Sequence, residues 1–239
     1  MILGYDIFSN KLEDIDLEKK LVINTINPHS YCVAKKDEVF QQALKSSDIL
    51  LPDGIGIVLA AKFLKNFKIK KIAGFDLFIF LINDINKKNG SVYFLGSTEN
   101  TLKLISEKIE VEYPKINFEK YSPPFKDEFS HEESLEICNR INDFSPDILF
   151  VGMTAPKQEK WIHKYKNEIN VKKICAVGAV FDFYAGNIKR SSNFWISIGL
   201  EWLPRFLREP KRLYKRTFLS TPKFILEVLF HKLFGKGIL

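Results

Sequence analysis

Six short β-rich apolar runs, each followed by a turn and most by a longer stretch of helical periodicity, constrain this chain more than any other feature. The runs are LVINTIN (21–27), DILLP (48–52), SVYFLGS (91–97), INFEKY (116–121), DILFVGM (147–153) and KICAVGAV (173–180). Among them lie helical patterns through VAKKDEVFQQALK and GIGIVLAAKFL, a segment near 76–87, TENTLKLISEKIEVEY (98–113), EESLEICNRIND (132–143) and PKQEKWIHKYK. Strands separated by helices pair in parallel, through right-handed crossovers. The predicted fold is α/β: a Rossmann-like, mostly parallel sheet of about six strands with helices on both faces.

At 239 residues the chain suits one such domain with an appendage rather than two full domains. The texture changes near Gly199, which divides it into a Rossmann-like body, 1–198, and a helical, basic, amphipathic appendage, 199–239. Residues 201–239 hold nine Lys/Arg against three Asp/Glu, whereas residues 1–200 hold 27 against 26. A neutral body with a basic tail points to an anionic partner. Within the tail, Thr221-Pro222 has the form of an N-cap and first helical position. The helix expected after it, Phe224 to Phe234, either meets a membrane interface or packs back onto the body. No apolar run approaches the ~18 residues of a membrane span, and MILGYDIFSN lacks a basic n-region and cleavage site, so a cytoplasmic chain is expected. Cys32, Cys138 and Cys175, odd in number and far apart, are expected to be reduced, buried thiols.

In a parallel sheet, ligands bind beyond the carboxyl ends of the strands. Those ends supply Thr25 and Asn27, then Asp53, then Gly96 and Ser97, then Thr154 through Gln158, and finally Gly178 with Asp182. In LLPDGIGIV (50–58), Asp53 is either a turn former or a general base held by a rigid strand. Gly54 and Gly56 are expected to leave room for a ligand near the backbone. Leu59 occupies the third glycine position of a dinucleotide fingerprint and no GxxxxGK[ST] is present, which argues against a standard NAD site or P-loop. LGSTENT (95–101) suits a phosphate on a helix N-terminus, or merely a Ser97 or Thr98 cap.

No cofactor and no metal are expected. The one Asp-x-Asp, Asp14-Ile15-Asp16, sits in the charged stretch KLEDIDLEKK, and the four histidines form no HExxH. Four of the six arginines fall in the tail: Arg205, Arg208, Arg212 and Arg216. Their spacing places them on one helical face, though Pro210 is expected to split the segment. Guanidinium groups bind phosphate bidentately; a solvated basic face is the alternative.

The chain resembles the WecG/TagA/CpsF family of bacterial glycosyltransferases. The resemblance rests on TINP (25–28), LLPDGIGIV, YFLGS, YPKINFEKYSPPF (113–125), SPDILFVGMTAPKQEKWI (145–162), VGAVFDFYAGNIKR (177–190) and GLEWLPRFLREPKRLYKR (199–216), in family order. Met-Thr-Ala stands before PKQE where Gly or Pro is more usual, and Ser191-Ser192 replaces an Ala-Pro pair. The resemblance implies inverting transfer, without an essential metal, of a hexosamine-type sugar from a UDP-sugar donor, UDP-N-acetylmannosamine or a relative. The acceptor implied is a polyprenyl-pyrophosphate-linked sugar used for teichoic acid, common antigen or capsule. UDP-glucose or a uronic acid are the alternative donors. Position by position, it implies Asp53 as base and Thr25, Asn27 and Gln158 in the pocket. It also implies that Arg205, Arg212 and Arg216 belong to a basic appendage that closes over the site and contacts an anionic membrane surface. The enzyme is then peripheral on the inner face of the cell membrane. The rival class is a basic membrane- or nucleic-acid-binding adaptor; the body offers no aromatic-lined strand platform, so no nucleic-acid partner is expected.

Overall fold

The computed structural model describes residues 1–192, 194–195 and 200–235, with Arg205, Arg208 and Arg212 described in backbone only. Its sheet has six strands in the order β2-β1-β6-β5-β3-β4. They are β1 (Leu21–Ile26), β2 (Ile49–Pro52), β3 (Ser91–Gly96), β4 (Asn117–Tyr121), β5 (Ile148–Gly152) and β6 (Lys173–Ala176). Every pairing is parallel. β5 is buried along its whole length and β3 nearly so, which is why both are continuous apolar runs instead of alternating ones. The edge strand β4 carries Glu119 and Lys120 and is mostly half-buried or exposed.

The helices are α1 (Pro28–Ala34), α2 (Glu38–Lys45), α3 (Ile55–Lys65), α4 (Gly74–Lys87), α5 (Glu99–Glu112), α6 (His131–Phe144), α7 (Lys157–Tyr165) and α8 (Val180–Ala185). Two differences from the sequence reading have local causes. The single helix expected through VAKKDEVFQQALK is two, because Asp37 leaves helical backbone (φ −128°) and caps α2, accepting from the Phe40 N–H at 2.9 Å. KICAVGAV is a strand only to Ala176; Gly178, at φ +56°, turns the chain so that Val180 opens α8.

One face of the sheet is covered by α4, α5 and α8, whose core is aromatic. Phe78 lies 4.8 Å from Phe150, and Phe94 stacks on Phe150 at 6.1 Å. On the other face, α6 and α7 pack over Tyr93, Leu149 and Ile174, while α1, α2 and α3 pack beside Ile26 and Leu50.

The tail is helical: Trp202–Arg208, Pro210–Tyr214, a π-helical turn Lys215–Ser220, and a final helix Thr221–Phe234. Pro210 separates the first two, as its missing N–H requires. Thr221 is not the N-cap. Ser220 holds that position in helical backbone, because the π turn runs directly into the final helix. Phe224 and Val228 join the core formed by α1 and α3, with the Phe224 ring edge-on to Tyr31 at 5.3 Å. The face bearing them packs back onto the body, while Ile225, Leu226, Leu229, Phe230, Leu233 and Phe234 remain exposed. Among the described residues, no helix is long and apolar enough to cross a membrane.

Candidate active site

Register brings the strand ends together. Ile26 pairs with Pro52, Gly96 with Gly152, and Val151 with Ala176, so the turns that follow open onto one crevice of about 2800 Å³. Thr25, Asn27, Asp53, Gly96, Ser97, Gln158 and Arg216 all line it. Arg205 and Arg212 lie on the tail helices, but their side chains are outside the described residues.

Asp53 extends the ladder one step beyond β2: its N–H donates to the Ile26 carbonyl at 2.9 Å. The half-buried side chain is thereby carried by backbone bonded to the inner strand β1 and not by a free loop. Gly54 then turns the chain with φ +101° and ψ 146°, a combination essentially confined to glycine. Gly56 has another role than the one expected of it. A Cβ there would lie 2.6 Å from Pro28 Cγ, so its missing side chain admits α1, although Gly56 also lines the crevice.

Asn27 lines the crevice and also caps α1, its Oδ1 accepting from the His29 and Ser30 N–H groups, each at 3.0 Å. At the end of β3, Gly96 (φ +105°) would place a Cβ 2.8 Å from the Gly152 carbonyl, so two strand ends meet there without side chains. Ser97 follows at φ +60°, and its carbonyl accepts from Ser122 Oγ at 2.7 Å. Thr98, not Ser97, caps α5.

Gln158 is buried, and its amide is spent largely on the protein. Oε1 accepts from the N–H groups of Met153 (3.2 Å) and Gly178 (3.0 Å), tying the turn after β5 to the turn after β6. Nε2 donates to Glu159 Oε1 at 2.9 Å. Glu159, which the sequence reading passed over, has its second oxygen buried without a hydrogen-bond partner. Burial is the main cause that raises its pKa to about 7, against which the bond from Gln158 works.

That shift has a thermodynamic sign. From pH 4.5, the ordinary value, to about 7, the folded protein keeps a proton that the unfolded chain releases. Stability therefore falls as pH rises through this window, by about 3 kcal/mol in all. Glu159→Gln removes the titration. Melting temperatures measured from about pH 5 to pH 8 should show the variant gaining on the parent as pH rises; parallel curves would contradict the assignment.

Two further residues sit where tail meets body. His29 Nδ1 lies 2.8 Å from Ser220 Oγ, and burial, helped by the Arg216 charge, holds its pKa below the ordinary histidine value. Arg216 is thus placed at the crevice wall beside α1. Arg190 lines the same crevice, paired with Asp76 at 2.8 Å and stacked over Phe75. The Asp-x-Asp is spent locally: Asp14 accepts from the Lys11 N–H, and Asp16 accepts from the Glu18 N–H and pairs with Lys19.

The crevice therefore presents Asp53 on backbone bonded to β1, other carboxylates including Asp182, the Gly96-Ser97 turn ahead of α5, and cations on its walls. Residues 5–237 match the glycosyl transferase WecG/TagA/CpsF family model. The chain is 35% identical over 224 residues (93% of its length, 85% of the relative's) to N-acetylglucosaminyldiphosphoundecaprenol N-acetyl-beta-D-mannosaminyltransferase of Bacillus subtilis (strain 168). Identity to proteins of the same name is 33% over 218 residues in Bacillus spizizenii (91% and 82% covered) and 27% over 208 in Staphylococcus aureus strain MW2 (87% and 79% covered).

Proposed function

Since the chain belongs to the WecG/TagA/CpsF family and is a glycosyltransferase, we propose that it moves N-acetylmannosamine or a close relative from a UDP-sugar to N-acetylglucosamine linked to polyprenyl diphosphate, in surface-polysaccharide synthesis. One observation carries the assignment of roles. Asp53 stands on ladder backbone at the crevice mouth, beside Thr25 and Asn27, where an acceptor hydroxyl can be met by a carboxylate.

In this reading the acceptor oxygen attacks the anomeric carbon as the bond to the UDP β-phosphate oxygen breaks. The electron pair leaves with UDP, the hydroxyl proton passes to Asp53, and a single displacement inverts the anomeric centre. Charge develops on the departing diphosphate, and fixed donors and cations must meet it. Arg216 on the crevice wall, Arg205 and Arg212 from the tail helices, and the Gly96-Ser97 turn ahead of α5 serve that end. Gln158 acts by holding two of the turns in register. The basic tail and the exposed Leu226, Phe230 and Leu233 hold the enzyme at the inner, anionic face of the membrane.

The test is UDP release with UDP-N-acetylmannosamine, its uronic acid and UDP-glucose, each with N-acetylglucosamine on a short polyprenyl diphosphate. N-acetylmannosamine should be preferred over glucose in kcat/KM by at least about tenfold, since a site that hydrogen-bonds a substrate amide leaves those groups unpaired against glucose. Absence of acceptor-dependent UDP release with all three donors would overturn the reading.

A further inference from the structure

Helix α3 begins two residues after Asp53 and carries Ile55, Leu59 and Phe63 at intervals of four, hence on one face. These side chains are 40%, 56% and 47% exposed, and all three line the crevice. The final helix faces them with Ile225 and Leu229, 52% and 43% exposed and also on the crevice wall. The two helices are held side by side. Phe224 reaches within 3.8 Å of where a Gly56 Cβ would stand, and Lys232 Nζ lies 5.6 Å from the centre of the Phe63 ring.

The result is an apolar trough that starts beside Asp53 and runs outward along α3, about 12 Å from Ile55 to Phe63 by helix rise. Scattered exposed apolar residues need no explanation, but a contiguous pair of facing stripes does. Lys62 and Lys232 stand at its outer end, near Phe63, and line the crevice with it. The opposite side of the final helix, Leu226 and Leu233, is also exposed but does not line the crevice. A bilayer or a second copy of the chain has that outward face to cover. The trough, by contrast, is continuous with the candidate base.

We propose that the trough between α3 and the final helix holds the first isoprene units of the acceptor's polyprenyl chain, and so selects lipid-linked acceptors without help from a membrane. The proposal rests on the transferase reading above, and on the acceptor class in the relatives' name. The acceptor sugar lies at Asp53, the diphosphate sits at the Asp53 end of the trough, and the chain leaves along Leu59 and Leu229.

The experiment compares two acceptors in solution, without vesicles or detergent: N-acetylglucosaminyl diphosphate esterified with farnesol or with methanol. The parent should favour the farnesyl acceptor at least tenfold in kcat/KM. Leu59→Ser with Leu229→Ser should erase most of that ratio, whereas Leu226→Ser with Leu233→Ser should leave it standing. A ratio near one in the parent, or a ratio untouched by the trough pair, overturns the proposal. So does a trough pair that alters only vesicle co-sedimentation (a membrane contact) or only sedimentation mass (a second copy). If neither acceptor supports transfer, the transferase reading fails instead. Calorimetric binding of the farnesyl acceptor to parent and trough pair then decides the trough: equal affinity, or no binding to the parent, ends it.

Discussion

Asp53→Asn is expected to lower transfer by about 10²–10⁴-fold, the usual contribution of a positioned general base, while UDP binding measured by calorimetry changes little. The substitution suits the question because the backbone that positions residue 53 does not depend on its side chain. What places residue 53 is its own N–H on the Ile26 carbonyl and the glycine-only turn at Gly54, and neither involves the side chain. Asparagine keeps the shape and a carbonyl oxygen but accepts no proton from the acceptor hydroxyl. The loss should therefore appear in kcat, with the donor's KM nearly unmoved, the pattern of a group whose contribution is made in the transition state. Near-normal turnover would remove Asp53 as the base. Lost UDP binding would instead make it a donor-site residue.

Why was the position of Asp53 legible from sequence when the bonds of its neighbours were not? An acid directly after an apolar run, at the carboxyl end of a parallel strand, is informative because topology alone sends such positions to one edge. The same logic found Thr25, Asn27, Gly96 and Ser97, and the structure gathers all of them around the crevice. It could not assign their bonds. Asn27 and Gln158 spend their amide oxygens on backbone N–H groups, and Gly56 accommodates Pro28. Those are tertiary facts, fixed by which turn approaches which.

Some signals were present but unused. In α7, Gln158, Ile162 and Tyr165 follow helical spacing, so Gln158 had to point inward, and its neighbour Glu159 is buried with it. In the final helix Glu227 is the only acid from 221 to 234 and shares a face with Phe224 and Val228. The split between α1 and α2 is harder to foresee. VAKKDEVFQQALK has no proline or glycine, and Asp37 as an interior cap competes with Asp37 as an ordinary helical residue.

That buried Glu227 makes the attachment of the tail testable. Glu227 is 1% exposed; its Oε1 accepts from Tyr31 Oη and pairs with Lys35 Nζ, both at 3.2 Å. Lys35 is 19% exposed and Glu227 1%, so removing this cation costs a part of the about 3–5 kcal/mol typical of a fully buried pair, borne by the buried carboxylate. On the other side of the balance, Phe224 and Val228 are the only apolar residues of this helix that are fully buried. At ~1.5–3 kcal/mol each, their burial is of similar size to that cost. Lys35→Met should thus release the tail without unfolding the sheet. Trypsin should cut after Arg216 and Lys223 at least about tenfold faster, as a shift of 1.4 kcal/mol or more in a local opening equilibrium requires. Transfer to a polyprenyl acceptor should fall in parallel as Arg216 leaves the crevice wall, and the melting temperature of the body should move little. Lys35→Met combined with Glu227→Leu and Tyr31→Phe replaces the whole cluster by apolar groups and should restore both protection and activity. A protease-resistant tail in Lys35→Met would mean that the pair does not hold it. Full transfer by an enzyme whose tail is already being cleaved would mean that the tail, however well docked, is no part of the site.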